Sequence, residues 1–290
     1  MSEVDDMNAS RRSRDLQQAL ERLKSLHDGD LGVLAVTACG SAAIPPLRGL
    51  LFERDPSGLY ETRRRVVWAL AALKAHDVLL DYLNSHVDPS DPVERLGEDA
   101  VLNAVAIAVA NLRSEEVFRL LMRLAHSRLL AGVIQALGTF QRAESIAIFV
   151  EALGEDDCRR SAEDALTKLG AAAREQLVTA AISAVPSWEN ESVSSVRRRR
   201  SALGLLDAIG LLSSGWARLR RLINDRDDRI AFLACKLCLA NDQIDDRRHA
   251  VARLRALSAR ADWMLAGEIR ELLAGRSDRG CGPAPGSSRP

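Results

Sequence analysis

A pair of short apolar segments recurs along this 290-residue chain, and that recurrence constrains the fold more than any single residue. A segment ending in Leu or Leu-Leu is followed by an acidic turn, an arginine and an Ala-rich stretch. Residues 43–51 lead to Arg63 and then to 68–73; residues 144–153 lead to Asp156, Arg159 and Ala165-Leu166; residues 219–223 lead to Asp227, Arg229 and 234–239. Eight such pairs fit, with second members ending near Cys39, Leu73, Leu112, Phe140, Leu169, Leu212, Leu239 and Leu273. The spacing is irregular and averages about 33 residues per pair. One pair buries a single stripe and cannot fold alone, whereas stacked neighbours share a continuous core.

The segments read as helices. Val66, Ala69, Leu70 and Leu73 share one face at a 3.6-residue period, as do Leu102, Val105, Ala106 and Val109, and again Ala162, Ala165, Leu166 and Leu169. No β-branched run alternates strictly. Aromatic residues make up only 4% of the chain, so the 47% that is hydrophobic rests on Ala and Leu, which favour helices. Small residues such as Ala104, Ala106, Ala108 and Ala110 let helices approach closely, and Gly204 and Gly210, inside an amphipathic stretch, are expected to do the same. The Asp in a turn caps the helix that follows. Arg64, Arg159 and Arg229 are expected to bond the neighbouring repeat's turn and so form a ladder.

Residues 40–51 (GSAAIPPLRGLL), followed by an acidic turn, Arg64 and an Ala-Leu-rich helix, resemble a HEAT repeat. The span from Ala136-Leu137-Gly138 to Ala165-Leu166 resembles the shorter HEAT-like repeat of phycobilin lyases and many bacterial proteins. The resemblance covers about residues 15–274 and implies an all-α solenoid of about eight HEAT-like helix pairs, an armadillo-type superhelix. It implies a scaffold or adaptor that binds a protein partner through its concave face. It also admits accessory or catalytic relatives, phycobilin-lyase-like or DNA-glycosylase-like. The expected organisation is a disordered tail at 1–13, the solenoid at 14–274 and a Gly-Pro-Ser-rich disordered tail at 275–290.

Two insertions interrupt the repeat, at 86–96 (HVDPSDPVERL) and 185–195 (VPSWENESVSS), each between the first and second helix of a pair. Insertions of one kind map to one rim of a solenoid, often the binding rim. Trp188 lies inside the second and is a candidate anchor for a partner. Arg197, Arg198 and Arg200 belong to a four-arginine run opening a second helix, and Arg64 opens another. With Arg128 they are the candidate partner-binding residues, and the basis for a phosphate- or nucleic-acid-binding alternative. Consecutive residues on a helix point in different directions, so the run cannot face one ligand together. Forty basic and forty acidic residues cancel, which removes any global pull toward nucleic acid or membrane.

No catalytic, cofactor-binding or metal-binding residue is assigned. Cys235 and Cys238 form a C-x-x-C in the middle of an apolar helix without the second ligand pair that zinc needs, and read as core thiols. No histidine is followed by Glu, which removes the iron-binding His-Glu pairs of deoxyhypusine hydroxylase from consideration. The five scattered cysteines, the polar N-terminus and the absence of an apolar run near 20 residues suggest a cytoplasmic, non-membrane protein.

Overall fold

The computed structural model describes residues 3–54, 59–85, 88–186, 190–240 and 244–277. Apart from one isolated bridge between Pro186 and Glu191, all regular structure among them is helical. The chain is an all-α repeat of solenoid type, and it divides into two compact units, Met1–Gln141 and Arg142–Pro290.

The first unit holds four helix pairs: α1 (Glu3–Lys24) with α2 (Gly29–Ala38), α3 (Ile44–Phe52) with α4 (Glu61–Ala72), α5 (His76–Ser85) with α6 (Pro92–Ala110), and α7 (Glu115–Ser127) with α8 (Ala131–Phe140). The second holds α9 (Ile146–Ala152) with α10 (Asp156–Leu169), α11 (Arg174–Ile182) with α12 (Val193–Ile209), α13 (Ser213–Leu219) with α14 (Asp228–Ala240), and α15 (Ile244–Ser258) with α16 (Trp263–Ser277). The eight second helices end within four residues of where the repeat predicts. In each unit they pack side by side in chain order: α2 on α4 on α6 on α8, and α10 on α12 on α14 on α16.

Local chemistry starts and stops these helices. Asp91 accepts from the backbone N–H groups of Val93 and Glu94, with Pro92 in the first turn of α6. Ser114 and Ser192 cap α7 and α12 in the same way. Both insertions are shorter than the sequence suggests, because α6 begins at Pro92 and α12 at Val193. Just beyond the ends of six consecutive second helices sits a residue with positive φ: Gly40, Lys74, Arg113, Gln141, Gly170 and Gly210. That left-handed residue lets the chain turn back into the next pair.

Gly210 therefore ends α12 rather than lying within it, and Gly204 faces open space. Neither serves the close packing expected of it. Close approach occurs at Gly132, whose N–H donates to Asn103 Oδ1 at 2.5 Å, while a Cβ there would lie 2.6 Å from the Asn103 carbonyl oxygen. The polar Asn103 inside an apolar run is thus a packing contact between α6 and α8. The N-terminal stretch expected to be a tail is helical from Glu3. Residues 10–15 are exposed there, and the helix extends outward from the buried Ala19, Leu20 and Leu23. At the other end α16 runs to Ser277, and the remainder of the expected C-terminal tail lies outside the described residues.

A buried arginine braces each unit. Arg63 Nε donates to the Leu51 carbonyl at 2.9 Å, at the end of its own pair's first helix. Its Nη atoms reach Glu98 on α6 at 3.0–3.1 Å and the Tyr82 hydroxyl on α5. Tyr82 donates onward to Glu98. Arg199 repeats the design, with Nε on the Ala181 carbonyl at 2.9 Å and Nη atoms on Glu191 at 2.5 Å and on Asp225 of the next pair. The expected ladder exists, but other arginines build most of it. Arg64 and Arg159 bond Glu61 and Asp156 within their own helices, and only Arg229 reaches a neighbouring pair, at Glu268. The side chain that meets the neighbouring turn is set by its angle around the helix, which a one-residue offset changes by about 100°.

Candidate interaction grooves

The second helices leave a groove on each unit. In unit 2 the exposed sides of α10, α12, α14 and α16, with the turns before them, enclose about 1110 Å³. The lining holds five arginines and six carboxylates, so it is charged but balanced. Four of these eleven charges pair with each other, and Arg159, Arg197 and Asp228 pair with residues just outside the lining. Arg197 pairs with Asp156 at 2.6 Å, Arg200 is bidentate to Asp227 at 3.1 and 2.5 Å, and Arg229 meets Glu268 at 2.5 Å. Glu163 accepts from the Ser201 hydroxyl at 2.6 Å. Burial raises the Asp227 carboxyl, but hydrogen bonds from Arg200 and the Ile230 N–H outweigh it and hold the group below the usual carboxylate range.

The apolar part of this groove is the start of α16. Trp263 is 81% exposed and Met264 59%. Asp262 caps the helix by accepting from Leu265 N–H at 2.9 Å, and Leu265 and Ile269 form its buried stripe. Trp263 falls off that stripe, two residues before Leu265, and stands in solvent.

The unit 1 groove differs in kind. It encloses about 750 Å³ between α4 and α6, and its lining contains no carboxylate. Trp68 is 40% exposed and Ile107 45%. The Arg64 guanidinium sits 5.1 Å over the Trp68 ring and pairs with Glu61 at 2.9 Å. Ala71, Ala100, Ala104 and Ala108 form the low ground between them. Nδ1 of His76, a lining residue, is buried without a hydrogen-bond partner among the described residues.

The candidate partner-binding residues distribute unevenly over these surfaces. Arg197 and Arg200 line the unit 2 groove together, and Arg64 lines the unit 1 groove. Arg198 leaves the groove and donates to the Ser183 carbonyl at 3.1 Å. Arg128 is tied to Asp88 and Asp99, where it fastens the first insertion to α6. Burial lowers the pKa of Arg128, but its bonds to Asp99 and Asp88 outweigh this and raise it. Trp188 lies outside the described residues. Ile107, Trp263 and Met264 are not among the residues that the sequence singles out. The signal was available, since each apolar residue lies off the helical face that its neighbours define.

Cys235 and Cys238 are fully buried in α14. Burial pushes the Cys235 thiol up to about 12, away from the reactive thiolate. Among the described residues no group of three or more His, Cys, Asp or Glu side chains is placed to hold a metal ion, and no helix is long and apolar enough to cross a membrane.

No protein-family model matches the chain, and no curated protein matches it. Among solved structures it is similar to the complex of CpcE and CpcF of phycocyanin lyase from Nostoc sp. PCC7120. The likeness has 21% sequence identity and a TM-score of 0.36, and it covers 83% of this chain and 94% of that one.

Proposed function

We propose that the chain is a non-enzymatic helical-repeat adaptor that binds a protein partner through the unit 2 groove. One observation carries this reading: Trp263 and Met264 stand exposed at a groove whose arginines are largely matched by the protein's own carboxylates. An exposed Trp beside a neutral, mixed-charge surface suits a protein interface, where a few aromatic anchors supply most of the binding energy. A phosphate-binding stripe would need uncompensated cations along successive helices, and Arg197, Arg200 and Arg229 are all compensated.

Tagged protein, wild type and Trp263→Ala with Met264→Ala, is used for affinity capture from its native host at low and high salt. A protein retained at high salt by wild type and reduced about tenfold by the double variant supports the reading. Equal capture by both forms overturns it, as does salt-sensitive nucleic acid as the main eluate.

The alternative is a phycobilin-lyase-like or DNA-glycosylase-like protein, which calls for an aromatic-lined pocket with a carboxylate inside. The described residues divide those features. The unit 1 groove has Tyr60 and Trp68 without a carboxylate, and the unit 2 groove has carboxylates around a single aromatic residue. This alternative has a direct test: a new stoichiometric absorbance band on mixing the purified chain with a linear tetrapyrrole would replace the adaptor reading.

A further inference from the structure

We infer that the unit 1 groove between α4 and α6 is a second docking surface, and that it takes an amphipathic helix of a partner protein with an aliphatic face and acidic flanks. This extends the protein-binding reading to another surface and is tested separately from the unit 2 groove. Exposed Trp68 on α4, with Ile107 on α6 and Leu112 just beyond its end, supplies the large apolar side chains of the lining. Between them Ala71, Ala104 and Ala108 leave space for bulky side chains. A ridge of Leu or Ile on an incoming helix fills a furrow of small residues, as in helix–helix packing within a core.

Charge selects among such helices. The lining has no carboxylate, and its titratable side chains besides Tyr60 are Arg64 and His76. Beyond it, Lys74 and Arg113 follow the ends of α4 and α6, both exposed and without an ion-pair partner among the described residues. Asp77, Glu115 and Glu116, the carboxylates near them in sequence, lie on the first helices α5 and α7, where Glu115 pairs with Arg119. Glu61 compensates Arg64, so Lys74 and Arg113, close in sequence to the lining residues at the groove's end, are the cations that repel a basic helix and attract an acidic one.

The test is selection of random peptides of roughly 16 residues, displayed on phage, against the full chain. The expected outcome is enrichment of sequences with aliphatic residues at i, i+3, i+4 and i+7 and with Asp and Glu outnumbering Lys and Arg. A synthesised representative should lose about tenfold in affinity with Ile107→Asp or Trp68→Ala. It should lose its salt dependence with Lys74→Ala plus Arg113→Ala, and be unaffected by Trp263→Ala. Ile107 and Trp68 are partly exposed, and circular dichroism establishes that the variants fold. Enrichment of basic or aperiodic sequences, no enrichment, or binding indifferent to Ile107→Asp and Trp68→Ala overturns the proposal. Loss of native-host capture by Trp263→Ala does not bear on it.

Discussion

The two units solve the same packing problem with the same parts and then differ on the surface they leave open. Each has four helix pairs, second helices stacked in order, and a buried arginine that ties the end of a first helix to a carboxylate in the next pair, Glu98 or Asp225. Yet the unit 1 groove is lined mostly by alanines and larger apolar residues and by no carboxylate, while the unit 2 groove is charged and largely compensated by the protein's own side chains. The fold depends on the buried stripe and the braces, which both units share. Binding depends on the positions off the stripe, which are free to diverge.

The largest effect should come from breaking the braces, and it should be unequal. Arg63, Glu98 and Tyr82 are almost wholly buried, so Arg63→Ala strands the Glu98 carboxylate against the Tyr82 hydroxyl in the interior. Burial, reinforced by the Glu98 charge, already raises the Tyr82 pKa and keeps the phenol protonated. A stranded buried charge costs about 3–5 kcal/mol. Arg199→Ala leaves Glu191 and Asp225, which retain 18% and 14% side-chain exposure. Water can reach them, so the expected cost is about 1–3 kcal/mol. Chemical denaturation followed by circular dichroism measures both, and hydrogen exchange assigns each loss to its unit. Equal costs would mean that the two braces are not graded by burial.

The sequence made the shared half of this comparison legible and the divergent half only partly so. The repeat and the apolar faces located all eight second helices, because burying a stripe leaves a 3.6-residue period. Asp91-Pro92, placed by the sequence inside the first insertion, starts α6, and Ser114 starts α7, each by local capping. Among arginines at helix starts, the sequence did not separate Arg63 and Arg199, which brace the core, from Arg64 and Arg159, which pair within their own helices. That distinction lies in helix rotation against a neighbour distant in sequence. Trp68 and Ile107 are readable as departures from their stripes, but nothing in the sequence shows that they line one groove.

The next effect is a pH dependence confined to unit 2. The folded Asp227 carboxyl lies below its ordinary value, so its bonds to Arg200 and the α14 backbone contribute stability above roughly pH 4, the unfolded carboxylate range. That contribution is lost as pH falls through the lower folded value. The stability difference between wild type and Asp227→Asn should therefore be present at neutral pH and shrink on acidification below about pH 4. Denaturant midpoints at neutral and acidic pH check this. A difference independent of pH would show that the Arg200–Asp227 pair contributes geometry rather than charge. The unit 1 groove, lined by no carboxylate, offers no counterpart.

The smallest effect concerns the left-handed residues that end the second helices. Unit 1 uses Gly40 but also Lys74, Arg113 and Gln141, whereas unit 2 uses Gly170 and Gly210. Non-glycine residues meet their own carbonyl in this conformation, at a cost of about 1–2 kcal/mol, while glycine does not. Lys74 and Arg113 offset part of it by placing cations at helix C-termini. Gln141 has no such compensation, so Gln141→Gly should stabilise unit 1 by about 1 kcal/mol. In unit 2, Gly170 (φ 54°, ψ −119°) lies outside that left-handed helical conformation, in backbone sparsely populated by residues with a Cβ, so Gly170→Ala should destabilise by about 1–3 kcal/mol. A Cβ at Gly170 meets no atom within 4 Å, so the expected loss is purely conformational. Thermal denaturation of the two single variants measures these opposite shifts. If Gly170→Ala is neutral, the left-handed caps are not what turns the chain from one pair into the next, and the hydrophobic stripe alone sets the register in both units.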